Sequence, residues 1–411
     1  MKSNYRPLGN YIRELNERNS DLSIKKLLGV SMEKTFIPSV ANLNGVDMSV
    51  YKVLRNEQLA CKLMSVGRDE KLPVDLYKDN QPALVSSAYY VFEPKDKEVL
   101  LPEYLMMWLC RPENDRYIGF ISGGDVRGGI SWETFCSLPI KVPSISKQRE
   151  IVKEYNVIQN RISLNQQMIQ KLEETAQAIY KQWFVDFEFP DEKGKSYKSN
   201  GGEMEESELG EIPLGWEVKK ISSLCQITSS KRVFESEYTK VGIPFYRAGE
   251  IKQKKEGVYI KELLYISEEK FKKIIKSFGH PLEGDILLTA VGSLLGDSYL
   301  VENETFYFKD GNVIWFRKFK LEALNLYLYE YLQSENFKDF LTEIKIGSGQ
   351  SAITIQSLNE KLIIKPQDNV LSKYKQISLS INNEISLRKK QNSKLFELKE
   401  LLLSKLATLE N

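Results

Sequence analysis

Acid–base and nucleophilic catalysis draw on few residue types, and this chain is poor in them. His280, in SFGHPLEGD, is the single histidine among 411 residues. It stands before a proline in a turn-like setting, reads as a surface loop residue, and has no Ser or Cys spaced to be activated by it. Cys61, Cys110, Cys136 and Cys225 show no C-x-x-C spacing. That speaks against a zinc site or a disulfide framework and suits buried apolar residues in a reducing compartment. No G-x-x-x-x-G-K-[ST] stretch offers a phosphate cradle. Asp191 after Pro190, and Glu217 with Lys219 two residues on, are too poorly spaced to hold a nuclease metal. No Asn-Pro-Pro-Tyr-like stretch of the kind amino-methyltransferases use on a flipped base occurs. The expectation is a chain with no catalytic residues and no metal.

Length and composition set broad bounds. A chain of this length normally splits into two or more domains. Lys+Arg is 58 against Asp+Glu 56, a net charge of +2, so a nucleic-acid partner would have to be met by a local patch. The first residues, MKSNYRPLGNYIRELNERN, lack an apolar core after their charges, and no stretch nears the ~18 apolar residues of a membrane span. The expected location is the cytoplasm, with no membrane partner.

The chain repeats itself. Residues 161–167 read RISLNQQ and residues 384–390 read EISLRKK. The same offset of 223 pairs Tyr104 with Tyr327, Leu105 with Leu328, Leu109 with Leu332, Gly124 with Gly347 and Ile130 with Ile353. It goes on to pair Ile140 with Ile363, Pro143 with Pro366, Ile158 with Ile381, Asn160 with Asn383, Lys171 with Lys394, Leu172 with Leu395 and Glu174 with Glu397. With the ISL triplet the pairs named make 15 identities within positions 104–174 without a gap, well beyond chance. The chain is a tandem duplication.

Each copy has two parts. From Ile151 the apolar or small residues fall at Tyr155, Ile158, Ile162, Ile169, Leu172, Ala176, Ile179 and Trp183, in steps of four and three interrupted by Asn165. That heptad seam predicts one helix over 147–188, about 60 Å long, built to pack on another helix. The second copy keeps the pattern more loosely over 371–408, through Tyr374, Ile377, Ile381, Ile385, Leu395, Leu398, Leu402 and Leu406. Asn165 and Arg388, equivalent under the offset, are expected to fix register or orientation. An antiparallel pairing would make helix length the measure of how far apart the two globular parts stand.

The parts before the helices read as mixed. ALVSSAYYVFE reads as a strand, EGDILLTAVGSLLGDSYLV as short strands between turns, and Asp310-Gly311 as a two-residue hairpin. LPEYLMMWLCRPEN and NLYLYEYLQSEN have helical spacing. FPDEKGKSYKSNGGEMEESELGEIPLGW, Gly/Ser-rich and then acidic, reads as a flexible linker that its charge keeps away from DNA. The fold class expected is α+β: two tandem-repeated mixed modules, 1–146 and 213–370, separated by long helices at 147–189 and 371–411, with a linker over 190–212.

Where each module hands over to its helix the chain reads GGDVRGGISWETFCSLPIKVPSISKQREIV and IGSGQSAITIQSLNEKLIIKPQDNVLSKY. Each is a Gly/Ser loop, a short helix, a strand, a proline and the long helix. Together with AQAIYKQWFVDFEFP, GEIPLGWEVKKISSLC, IPFYRAGEI and GDILLTAVGSLLGD, this layout resembles the specificity subunit of type I restriction-modification systems over nearly the whole chain. KPQDNVLSKY departs from the family's usual Pro-rich, Glu-Gln-containing entry to the second helix, so a local difference in geometry is expected there. The resemblance implies two target-recognition domains that each read half of a bipartite double-stranded DNA sequence, on an antiparallel pair of conserved helices. It also implies modification subunits, two of them, carrying S-adenosylmethionine and methyl transfer. Restriction subunits would carry ATP, Mg and cleavage, leaving no cofactor in this chain.

Base edges and phosphates are read by Arg, Lys, Asn, Gln, Ser and Thr on groove-facing loops. Candidates in the first module are Lys62, Arg68 and Lys71 in CKLMSVGRDEK, and Arg127. In the second they are Lys231 and Arg232 in TSSKR, Arg247 in FYRAG, and Ser348, Gln350 and Ser351. The rival expectation is a non-catalytic coiled-coil scaffold or decoy whose heads bind proteins.

Overall fold

A computed structural model describes residues 5–39, 46–64, 66–123, 128–260, 262–348 and 352–406, the last four residues before 349 by backbone alone. The described chain forms two compact units, Met1–Asn160 with Glu397–Asn411, and Arg161–Phe396.

In the first unit an antiparallel four-stranded sheet has the order Ile12–Leu15, Tyr90–Pro94, Leu59–Cys61, Val74–Leu76. The second unit holds its counterpart in the order Gln226–Thr228, Val313–Arg317, Ile286–Thr289, Ser298–Leu300, again antiparallel throughout. In both, the strands enter the sheet as first, fourth, second and third along the chain, so the duplication is topological as well as sequential. Side chains repeat too. The Tyr104 hydroxyl donates to the Lys141 carbonyl and the Tyr327 hydroxyl to that of Ile364, and both donors and both acceptors are 223 residues apart.

Three local expectations change. ALVSSAYYVFE is two strands, Ala83–Val85 on Lys52–Leu54 and Tyr90–Pro94 in the main sheet. Buried residues at both ends of this run leave Ser86–Tyr89 to cross between two sheets. Asp310-Gly311 is a turn, with Gly311 at φ +78°, but not a hairpin. Tyr307–Phe308 pairs in parallel with Ile243–Tyr246 in a separate sheet, while Val313–Arg317 enters the main one. Tyr307 and Phe308 are both fully buried, and only a strand covered on both faces satisfies both rings. The stretch expected to be a flexible linker is folded. Met204–Ser207 and Gly210–Pro213 form a hairpin, and Phe189 stacks on Tyr197 at 4.6 Å and on Trp216 at 5.0 Å. Four large aromatics, Phe187 included, draw this polar segment into the second unit's core.

The long helices run Ile145–Phe184 and Asp368–Lys405. In the second unit they are antiparallel: Asn165 lies on Asn392, Glu173 on Lys389, and Trp183 on Tyr374. In the first unit Lys399 sits over the Tyr155 ring at 5.5 Å, and Ile151 and Val152 share a core with Leu403 and Leu406. Ile151, Ile162, Ile169, Ala176, Tyr180 and Ile385 are buried, while Tyr155, Ile158, Leu172, Ile179, Ile381, Leu395 and Leu402 are half-buried. Ile377 and Leu398 are exposed and do not belong to the seam. The heptad line passes through Ser378 and Asn392 instead, both buried, because periodicity rather than apolarity decides which face is covered.

Asn165 donates from Nδ2 to Asn392 Oδ1 at 2.9 Å, and each residue is at most 2% exposed. Arg388, expected to share this role, instead pairs with Glu384 one turn before it on its own helix. At the first helix entry, Gln148 joins two stretches of backbone, accepting from Leu101 N–H and donating to the Val99 and Pro143 carbonyls. The departure in the second copy puts buried Leu371 in its place, exchanging hydrogen bonds for apolar burial with the helix intact.

A second buried polar contact sits where Gln177 meets the helix Ala323–Tyr331. Gln177 Nε2 donates to Glu330 Oε2 at 2.6 Å, and Glu330 is 2% exposed. Burial, aided by nearby Glu173 and only partly offset by Gln177, pushes the Glu330 carboxyl up to about 7.

Two outcomes are expected. Asn165→Leu leaves Asn392 buried without its donor and costs roughly 1–3 kcal/mol, whereas Asn165→Leu with Asn392→Leu recovers that loss. Urea midpoints of the full chain measure both, and a double variant no better than the single would refute the pairing. For Glu330, the unfolded chain ionises near 4.5 while the folded one stays protonated to about 7. Stability is therefore lost as pH rises between those values, by about 3 kcal/mol at most. Glu330→Gln should flatten this part of the pH profile of Tm between pH 5 and 8; an unchanged profile would show that the carboxyl carries no such penalty.

Candidate nucleic-acid interface

In the first unit the strand Leu59–Cys61 runs out of the sheet into Lys62–Asp69, and three backbone hydrogen bonds tie that excursion down. Lys62 N–H donates to Pro73 O at 3.0 Å, Ile130 N–H to Leu63 O at 3.1 Å, and Gly67 N–H to Gly128 O at 2.7 Å. Close approach makes glycine necessary at two of these points. A Cβ on Gly67 would lie 2.4 Å from Ser122 Oγ and 2.9 Å from Gly128 O, and one on Gly129 would lie 2.9 Å from Leu63 O. Arg127 lies outside the described residues, but its neighbour Gly128 is anchored one residue from Arg68.

The second unit builds the same anchor. Ile353 N–H donates to Ala290 O at 2.9 Å, and Val291 bridges to Ala352. Ile130 and Ile353 are 223 apart, while their acceptors Leu63 and Ala290 are 227 apart. The segment TAVGSLLGD thus occupies the place of KLMSVGRDE, a correspondence that a single offset hides. Ser293, in that segment, is a candidate the sequence reading missed. Gln350 and Ser351 lie outside the described residues, as does the side chain of Ser348.

Three further segments reach the same edge of the second sheet. Ser229 follows Gln226–Thr228, and its Oγ donates to Val313 O at 3.0 Å and accepts from Gly311 N–H at 3.3 Å. Ala290 N–H bonds Asn312 O at 2.8 Å. Lys309 N–H bonds Tyr246 O at 2.9 Å, which brings the start of the helix Ala248–Glu256, and Arg247 before it, alongside. Lys231, Arg232 and Arg247, far apart in sequence, are therefore gathered near one row of loops. In the first unit Lys62 and Arg68 share the corresponding edge, and Lys71 follows on the same excursion.

The electrostatics of these cations were not visible in the sequence. Arg68 pairs with Asp69 at 2.7 Å, Lys71 with Glu33 at 3.2 Å, Arg232 with Asp310 at 2.9 Å and Arg247 with Glu250 at 2.6 Å. Hydrogen bonds to those carboxylates raise the Arg68 and Arg247 guanidinium groups above their usual range. Burial opposes ionisation of Glu250, but side-chain and backbone bonds from Arg247 outweigh it and hold its carboxyl below the ordinary value. Lys231 differs: its Nζ sits 4.9 Å over the Phe278 ring and its N–H bonds the Tyr307 hydroxyl. Two exposed aromatics border the same loops, Phe120 at 81% and Phe234 at 60% exposure. Neither fits a helix-face or strand pattern, so periodicity could not single them out.

His280 is half-buried rather than on the surface, packed 5.4 Å from Phe271. All four cysteines are free, and burial pushes the Cys61 thiol upward, away from reactivity. Among the described residues no group of three or more His, Cys, Asp or Glu is placed to hold a metal, and no helix is long and apolar enough to cross a membrane.

Two modules of one topology, each with a loop edge tied down by backbone hydrogen bonds, together with two long helices, define the class of fold. The model of the type I restriction modification DNA specificity domain matches residues 76–174 and 213–396, and the chain belongs to that family. It is 28% identical over 211 residues to the type I restriction enzyme HindI specificity subunit of Haemophilus influenzae, covering 50% of this chain and 44% of that one. A putative type I restriction enzyme specificity subunit from the same organism is 26% identical, with 75% of this chain and 73% of that one covered. The MjaIX specificity subunit of Methanocaldococcus jannaschii is 24% identical, over 79% and 72%. The crystal structure of a type I restriction-modification S subunit from M. genitalium shares the fold, with a TM-score of 0.56 at 12% identity over 98% of this chain and 95% of that one.

Proposed function

We propose that this chain is the sequence-reading subunit of a type I restriction-modification complex, each module reading one half of a bipartite DNA target. The observation that carries the reading is the repeated sheet edge. Two copies of one topology each carry candidate basic and small polar residues beside a loop tied down by backbone hydrogen bonds. A pair of related but unequal readers suits a split target whose halves differ. In this reading methyl transfer and cleavage belong to partner subunits that bring S-adenosylmethionine, ATP and Mg, and the complex works in the cytoplasm.

Two modification subunits are the natural complement, and the ISL triplet supports this count. Its isoleucines, Ile162 and Ile385, are buried in the seam. Its leucines are exposed in both copies, Leu164 at 57% and Leu387 at 49%. A seam explains the first residue of the triplet. A partner docking from outside gives a reason to keep a large apolar side chain at two equivalent exposed positions.

Co-expression with a modification subunit, followed by genome-wide mapping of modified adenines, should give one bipartite motif. The purified chain should lose DNA affinity steeply as salt rises. Salt-insensitive binding or scattered modification would overturn the reading. Leu164→Glu and Leu387→Glu should each reduce the modification subunits bound from about two to one, and the double variant should bind none, by mass measurement of the complex. A single substitution that removes both partners would show that the two positions are not separate docking sites.

A further inference from the structure

We infer that Asp310 is a specificity-determining residue of the second module. It holds Arg232 in the free protein and releases it only at a base pair that satisfies both side chains. The inference rests on the DNA reading above and names the chemistry of one position within it. Arg232 Nε donates to Asp310 Oδ2 at 2.9 Å; the arginine side chain is 69% exposed and the aspartate 16%. The two partners are unequally held. Asp310 sits in a turn fixed on both sides, by Lys309 N–H on Tyr246 O and by Gly311 N–H on Ser229 Oγ. Arg232 lies in the irregular run after Gln226–Thr228 and reaches the carboxylate through a long, solvated side chain. If one member moves, it is the arginine.

The neighbouring pair makes a useful contrast. Glu250 is 7% exposed, accepts from the Arg247 backbone N–H as well as from its guanidinium, and caps the helix Ala248–Glu256. Arg247 and Glu250 therefore build the helix start, whereas Arg232 and Asp310 bridge two loops at the reading edge.

Against arbitrary DNA, a closed Arg–Asp pair offers the phosphates little net charge, and the fixed carboxylate repels them. Opening the pair exposes an acceptor-only group that must find a donor. In the major groove a guanine offers O6 and N7 to an arginine, and a cytosine N4 amino group donates to a carboxylate. A G·C pair at the contacted position supplies both. Adenine offers N7 beside a donor and suits an arginine fork poorly. The second half-site should accordingly contain a G·C pair whose identity depends on both residues.

The full chain, co-expressed with its modification subunit, tests this. Asp310→Asn is expected to raise affinity for a random-sequence duplex by roughly ten-fold at low salt. It should also relax one position of the second half of the mapped motif while leaving the first half unchanged. Arg232→Gln should relax the same position and weaken cognate binding. Both variants keep the Ser229 and Tyr246 contacts, and unchanged melting curves confirm folding. An Asp310→Asn variant with wild-type motif and wild-type random-sequence affinity overturns the assignment. A wild-type chain without salt-dependent DNA affinity overturns the DNA reading, and this assignment with it.

Discussion

The helix seam is the constraint on which the rest depends, and one polar contact gives it direction. Leucine-rich seams tolerate several registers because dispersion and burial are indifferent to small shifts. A buried amide pair is not, since either partner left alone forfeits a hydrogen bond in a place without water. The repeat offset carries Asn165 onto Arg388 and Asn392 back onto Ile169. The pair thus has no symmetry mate, and the duplicated helices differ at the contact that orients them. Two copies of the first helix would set Asn165 against Ile169 and leave a buried amide unsatisfied. Divergence at this point therefore favours pairing within one chain over pairing between chains.

Loops that read another molecule must be polar and exposed, which deprives them of the burial that orders a core. Here the order comes from backbone approach. Gly67 and Gly129 let separate segments meet at distances that a side chain on either would prevent, and the sheet end carries the resulting edge. The same economy of space explains the carboxylates. A cluster of unpaired cations on one edge would repel itself and bind any nucleic acid, and both costs fall where a cation rests on a nearby acid, as Arg68, Lys71, Arg232 and Arg247 do. In that light the overall charge of +2 is what an internally neutralised reader should show.

How much of this was legible in the sequence follows from the range of the interaction involved. The helices, their seam and the short helix, strand and proline at each handover are periodic or local, and a repeat offset of 223 exposes them. The pairing of Arg232 with Asp310 spans 78 residues and two sheets, and nothing local announces it. The turn at Asp310-Gly311 has the residues of a hairpin, yet two adjacent buried aromatics before it decide for a change of sheet. The segment after Phe184 has the composition of a linker, but composition averages over four aromatics that together outweigh its polar residues. Insertion shifts the offset from 223 to 227 between the anchor acceptors, so the equivalence of the two reading edges appears only once the strands are paired.

The triplet ISL shows how duplication separates causes that a single copy confounds. In one copy, an exposed leucine on a long helix is unremarkable, since apolar atoms make up much of any protein surface. In two copies that have otherwise drifted apart, neutral drift should have replaced an exposed leucine at least once, as it has replaced Tyr155 by Ser378 on the seam itself. The seam, although buried, tolerates such exchanges because its partner residues can compensate. An outer surface that faces only water imposes no constraint to preserve. Retention of Leu164 and Leu387 therefore sets these exposed positions apart from the buried seam beside them, where exchange has occurred.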